Sequence, residues 1–454
     1  MSIVYSSLNH ALRVPLAAEV HSRPFLRLDA PESLTHLAVY GRDENGVPLD
    51  GTSRHATLVA LCSHFGVTAP GLDAKYFYHD FGHFRLKWEC HTEFATYTFA
   101  QRHEEPLSPA DAFERVPLFQ IPQDWLLGLQ GKIMVAAHVV LDKSSAPAPE
   151  FAESLRRAFE GSNIVGSRAL YNGEIWTDFL IQSDGFSRFV VRDAGFHEQE
   201  SGRLVQRVLE IETYRMMALL GLPHAHRATP VLNGIEGELA TLTAAMVDNG
   251  DPVGTDEGST DTDREQELLG EITGLAARIE KLALDNSYRF SASQAYFRLV
   301  HARIEELREV RIDGFPTVGE FMDRRLTPAM NTCVAIARRQ ETLAERIAHT
   351  NDLLRTRVGI VQERQNRKIL QSMNARAAQQ LRLQQAVEGL SVAAISYYMI
   401  GLFGYAGKAA KAAGLPVNPD LLTGVLVPVV AVCVWLGLRR MHKTIHRRGR
   451  DSHL

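Results

Sequence analysis

Two uncharged apolar runs near the C-terminus, Gly389–Gly407 and Leu421–Leu438, constrain this chain more than any other feature. Each is about 18–19 residues long. At about 1.5 Å of rise per residue, such a helix crosses a hydrocarbon core of roughly 30 Å. Backbone in lipid must satisfy its own hydrogen bonds, so the pair predicts a two-helix transmembrane hairpin over 389–438. The alternative is a hairpin buried in a soluble core, and the flanking charge argues against it. Arg367, Lys368, Arg376 and Arg382 precede the first run, and Arg439, Arg440, Lys443, Arg447, Arg448 and Arg450 follow the second. The intervening loop carries only Lys408 and Lys411. By the positive-inside rule both termini are expected in the cytoplasm, with the lipid bilayer as a partner.

At 454 residues the chain has room for two or three domains. Its net charge of −4 does not indicate a nucleic-acid partner. The four cysteines, Cys62, Cys90, Cys333 and Cys433, show no zinc or redox spacing, which fits a reducing compartment without a disulfide framework. Met1–Val20 lacks the apolar core of a signal peptide, so the N-terminal part is expected to stay in the cytoplasm.

Residues 1–247 read as a cytoplasmic α/β domain. Strands are expected at Leu34–Tyr40, within Phe84–Phe99 and at Lys132–Leu141, and a short helix at His55–Phe65. Asn172-Gly173 and Asp184-Gly185 are hairpin signals between Ile164–Leu170, Ile175–Gln182 and Phe186–Val191, because these dipeptides tolerate positive φ. Helices follow at about His197–Leu220 and Gly234–Val247. The acidic stretch 248–263 has almost no apolar residue to offset its ordering entropy and reads as a flexible linker.

A helical stalk region is expected over 264–388, with helices at Arg264–Leu284 and Ala292–Arg311. A break at Asp313-Gly314-Phe315-Pro316, a short helix around Val318–Arg325, and a long helix starting at Pro328 complete it. Ile336, Leu343, Ile347, Leu354, Val358 and Val361 recur at helical spacing and form one apolar stripe. The long helix continues into the first apolar run, for roughly 120 Å in all, unless it breaks at Gly359. So narrow a stripe needs a cover, either from neighbouring helices or from other subunits as in a coiled coil; a homo-oligomer is therefore expected. The basic tail spans 439–454.

His10-Ala11-Leu12-Arg13, Glu19-Val20-His21-Ser22-Arg23-Pro24-Phe25, Trp88-Glu89-Cys90-His91-Thr92-Glu93-Phe94 and Gly389 through Tyr398 together resemble a bacterial family of uncharacterised membrane-anchored proteins, known by its domain of unknown function. The resemblance runs over nearly the whole chain and implies a multi-pass protein of the bacterial inner membrane. The order of elements also resembles the CorA-type divalent-cation transporters: a cytoplasmic α/β domain, a long stalk continuous with the first span, a short outer loop and a basic C-terminus. The stretch from Leu353 to Arg367, then Met373, is similar to the stalk of that family near the membrane. Its Gly-Met-Asn motif is replaced here by Gly404-Tyr405-Ala406-Gly407-Lys408, and Lys408 and Lys411 place positive charge at the mouth. The resemblance implies a CorA-like oligomer that conducts or senses an ion. The alternative is a membrane-anchored binding or regulatory module without transport.

Glu89, His91 and Glu93, spaced by two, share a face if they lie on one strand, and two carboxylates flanking an imidazole suit a divalent cation. The competing reading is a solvated charged face, since Arg85 and Lys87 continue the row. Glu19, His21 and Arg23 repeat the spacing and are candidates for the same polar ligand site. His79 and His83 flank Asp80 and Gly82, a turn pattern. Ser396, Gly401, Gly404 and Gly407 mark either close helix packing in lipid or a pore lining. The chain has no Gly-rich phosphate loop, nucleophile elbow or His-Glu-x-x-His pattern, so no enzyme is expected.

Overall fold

The computed structural model describes residues 9–14, 16–17, 24–41, 51–143, 148–170, 172–196, 199–248, 260–413 and 419–448. The chain divides by contact into two units: Met1–Gly250 with Glu271–Thr350, and Asp251–Gly270 with Asn351–Leu454.

In the first unit the elements run β1 (Glu32–Tyr40), α1 (Gly51–His64), β2 (Tyr76–Asp80), β3 (Arg85–Cys90), β4 (Phe94–Arg102), α2 (Pro109–Phe113) and α3 (Gln123–Leu127). There follow β5 (Lys132–Asp142), α4 (Ala148–Ala158), β6 (Val165–Ala169), β7 (Gly173–Ile181), β8 (Ser187–Asp193), α5 (Glu200–Leu219) and α6 (Gly221–Asp248). The chain then continues through α7 (Thr260–Leu307), β9 (Val310–Arg311) and α8 (Val318–Ala412), and ends with α9 (Pro419–Arg448). Among the described residues the strands form one sheet, in the order β2-β3-β4-β1-β5-β8-β7-β6-β9. Neighbours are antiparallel except β5 and β8, whose parallel pairing requires the long crossover through α4, β6 and β7.

The turns follow local chemistry. Gly185 has φ +86° and Phe186 N–H donates to Asp184 Oδ1 at 2.9 Å, closing the β7–β8 hairpin. Gly82 has φ +87° and its N–H donates to Asp80 Oδ1 at 2.8 Å, so His79 and Asp80 end β2 and Gly82 and His83 lie in the β2–β3 turn.

The two faces of the sheet differ. On one, Leu86, Trp88, Tyr97, Phe99, Leu37 and Val39 pack against Leu58, Leu61 and Cys62 of α1 and Trp125 of α3. This is the alternation expected for β3, with its apolar residues inward. On the other face α5 crosses the strands, and the row expected to be solvated is covered: Lys87 is only 4% exposed.

Three helices depart from the sequence reading. Helix α7 is one 48-residue helix where two were expected. The interval 285–291 contains no Gly or Pro, and its polar groups find tertiary partners: Asn286 Oδ1 lies 3.1 Å from His224 Nδ1, and Arg289 pairs with Glu93. Helix α6 starts at Gly221, immediately after α5, rather than near Gly234. Helix α8 starts at Val318 and passes through Pro328 rather than beginning there. An interior proline costs about 3 kcal/mol; burial of Met322, Leu326, Met330 and Cys333 around it offsets that.

Also in the first unit, α6, α7 and the start of α8 carry buried residues at helical spacing: Leu232, Ile235 and Leu239; Ile272, Leu275 and Ile279; and Ile336, Leu343 and Ile347. Arg339 Nε donates to Glu236 Oε1 at 2.8 Å, and Arg278 pairs with Glu238 at 2.6 Å. The stripe on α8 is therefore covered within the chain. Of the two covers expected for it, neighbouring helices of the same chain are the one found.

In the second unit, Leu354 and Val358 are buried and Arg357 pairs with Glu265 at 2.9 Å. Helix α8 does not break at Gly359. Residues 366–387 are exposed throughout. The expected linker 248–263 lies mostly outside the described residues, and the helix α7 already includes its last residues, from Thr260. Residues 439–448 of the basic tail are helical.

Candidate functional site

The face of the sheet under α5 holds a polar row set by strand register. Lys87 of β3 pairs with Thr98 of β4, Thr98 with His36 of β1, His36 with Ala137 of β5, and Ala137 with Ser187 of β8. Residues paired across strands project from the same face. Helix α5 lies close because Gly202 has no side chain: a Cβ there would meet the Leu26 carbonyl oxygen at 1.9 Å. Ser201 Oγ donates to Leu28 O at 2.6 Å and fastens the same contact.

Between α5 and strands β1, β3 and β4 a cavity of about 220 Å³ remains, lined also by Leu26, Leu28 and Arg303 of α7. One part of its wall is aliphatic: Leu26, Leu28, Leu34, Val205 and Leu209. Across from it runs a connected polar band. Lys87 Nζ lies 3.2 Å from Glu89 and donates to Gln206 Oε1 at 3.3 Å. Gln206 Nε2 donates to Glu210 Oε1 at 2.7 Å, and Glu210 pairs with Arg303. Arg303 also reaches Glu306 at 2.7 Å.

His36 lies beneath this band. Its Nδ1 is 2.8 Å from Thr98 Oγ1 and its Nε2 3.1 Å from Thr213 Oγ1. Burial, reinforced by the charge of Lys87, pushes its pKa down to about 3, so the ring is neutral. A neutral imidazole donates from one nitrogen and accepts at the other. One threonine hydroxyl therefore donates to His36; the other accepts from it and keeps its own proton for another acceptor.

The sequence-based candidates are only partly brought together. Glu89 lies on β3 and lines the cavity, paired with Lys87. His91 lines it from the turn after β3, its ring stacked on Phe94 at 4.4 Å. Glu93 turns away: strand β3 ends at Cys90, so the row with a period of two does not extend to residue 93. The Glu93 carboxylate instead takes two hydrogen bonds from Arg289, at 2.9 and 3.1 Å. Half-buried beside it, Tyr296 has its pKa raised by desolvation and by the Glu93 charge. The shared metal face expected for Glu89, His91 and Glu93 is thus corrected, because Lys87 and Arg289 occupy the two carboxylates. Among the described residues no group of three His, Cys, Asp or Glu side chains is placed to hold a metal ion. Glu19, His21 and Arg23 lie outside the described residues.

In the second unit, Ser396 and Gly407 are buried, Gly404 is half-buried, and Gly401 faces open space. His36, Thr98, Thr213, Gln206, Glu210 and Arg303 were not picked out from the sequence. The one signal was His36 itself, a polar ring inside the largely apolar segment Leu34–Val39. Its hydrogen-bond partners, Thr98 and Thr213, come from two other elements, β4 and α5.

Among solved structures, one described as the structure of the full-length CmaX protein is 12% identical, with 68% of this chain and 89% of that chain covered, at a TM-score of 0.18. A likeness at that level carries no argument. No curated protein matches the chain. A family described as a protein of unknown function (DUF3422) matches residues 8–445, so the chain belongs to that family.

Proposed function

We propose that this protein is a membrane-anchored module whose sheet domain binds a small ligand at the cytoplasmic face, without transport. The observation that carries the anchor is the bare apolar surface of α8. Leu390, Tyr397, Tyr398, Leu402 and Tyr405 are between 72% and 77% exposed. Removing a large apolar side chain from water is worth about 1.5–3 kcal/mol, so lipid is the natural cover for this segment. Among the described residues one helix, α8, is long and apolar enough to cross a membrane; α9 carries a shorter apolar segment, Gly424–Gly437, and the second crossing rests on the length of the run Leu421–Leu438 in the sequence. The charge distribution around the two runs supports cytoplasmic termini on the inner membrane. The cavity of the sheet domain supports the binding role.

The test is cysteine labelling of a full-length variant lacking Cys62, Cys90, Cys333 and Cys433. In intact cells an impermeant reagent is expected to reach a cysteine at Ala412 and miss one at Ser452. The reverse pattern, or extraction of the protein by alkaline carbonate, overturns the anchor.

A second reading is a CorA-like homo-oligomer that conducts or senses an ion, including a divalent cation. The exposure of residues 366–387 favours it, because apolar Ile369, Leu370, Met373 and Leu381 on this stretch are available to other subunits. Mass measurement in detergent and in lipid nanodiscs decides: a monomer in both removes this reading. A ring without divalent-dependent flux in vesicles leaves a scaffold or sensor.

A further inference from the structure

The cavity beneath α5 has the chemistry to select its ligand. Lys87 and Arg303 supply two positive charges to its wall, and Glu89 and Glu210 two negative ones. Among the described residues the wall is balanced, and net charge added to a partly enclosed chamber is costly. A lone anion or a lone cation would break that balance; a molecule carrying both charges would not.

The polar band also has slack where a ligand would enter. Charge-assisted hydrogen bonds run near 2.7–2.9 Å in general. Lys87 holds its two partners at 3.2 and 3.3 Å. An ammonium has three donors, so two long contacts leave it under-used. Gln206, a neutral amide, is the easier of the two to displace. The threonine that accepts from His36 offers one further hydroxyl donor on the same floor. Donors for a carboxylate and acceptors for an ammonium therefore line one band. Leu34, Val205 and Leu209 face it with a surface suited to an aliphatic group.

We propose that this cavity binds a small zwitterion with an aliphatic body, the chemistry of a free α-amino acid such as leucine or valine. Its carboxylate takes the place of Gln206 on Lys87, its ammonium meets Glu89 or Glu210, and its side chain lies against the leucines. A volume of about 220 Å³ suits a metabolite of this size and falls below the roughly 300–1,000 Å³ of larger ligand pockets. The inference rests on the binding-module reading but not on the anchor.

The test is calorimetry on the full chain in detergent with three probes of matched shape: L-leucine, 4-methylpentanoate and 3-methylbutylamine. Saturable binding of leucine is expected, at least tenfold tighter than either half-molecule. Lys87→Gln is expected to weaken it at least tenfold. Val205→Phe, which fills the aliphatic lobe and leaves the charges in place, is expected to weaken leucine binding more than alanine binding. Binding of 4-methylpentanoate as tight as that of leucine overturns the zwitterion in favour of an anion site. Absence of saturable heat from all three probes overturns the inference altogether. Failure of the anchor shows in cysteine labelling and leaves these heats untouched.

Discussion

The two faces of the central sheet are built from the same strands and serve opposite ends. One places Trp88, Tyr97, Phe99 and Leu37 against α1 and α3 in a mainly apolar cluster, with few polar atoms to match, such as Trp125 Nε1, which donates to Thr57 O at 2.8 Å. The other places Lys87, Thr98 and His36 under α5, where each polar group must be matched by a neighbour. The first gains stability by excluding everything; the second forgoes close packing, leaves a chamber, and spends hydrogen bonds to hold charges inside it. An apolar face tolerates small errors in helix placement, whereas the polar face requires α5 to sit with its Gln206, Glu210 and Thr213 opposite the row.

The largest expected effect breaks the dry face. Trp88 is 1% exposed, so Trp88→Ala is expected to cost about 3–5 kcal/mol in denaturant unfolding of the first unit within the full chain. A loss below about 1 kcal/mol would mean that the aromatic cluster is not the main support.

A smaller effect separates charge from packing on the polar face. Lys87→Met leaves Glu89 without its cation, and a cost of about 1 kcal/mol is expected for the unpaired, half-buried carboxylate. Adding Glu89→Leu is expected to recover most of it, since replacing both members of an enclosed pair by apolar groups is often neutral. No recovery in the double variant would mean that Lys87 holds α5 through Gln206 rather than through its charge balance.

The smallest effect is a pH slope. The His36 pKa lies below its unfolded value, so the unfolded chain binds the additional proton. Stability from this group is present above about pH 6.5 and is lost progressively down to about 3, at roughly 1.4 kcal/mol per pH unit. Buried His138, whose pKa burial lowers to about 4, adds a slope of the same sign from the β5 side. His36→Gln is expected to reduce the slope without removing it. An unchanged slope between pH 6.5 and 4.5 would mean that His36 is not enclosed as described.

Much of this architecture follows from the chain alone. The period-two alternation along β3, the Asp184-Gly185 turn and the helical stripe from Ile336 to Val358 each depend on neighbours within a few residues, where covalent geometry sets the pattern. The length of the C-terminal apolar runs is likewise a local property, and so is the charge around them. The tertiary structure decided what distant residues do to one another. It placed α5 over the Lys87 row, since the approach at Gly202 depends on Leu26, far away in sequence. It drew Glu93 out of its apparent row because Arg289 lies within reach. It carried α8 through Pro328, where surrounding burial outweighs an intrinsic preference to stop. Periodicity reports which face a residue occupies, but whether that face meets water, a helix or a cavity is set by the chain's return, and no local pattern encodes that.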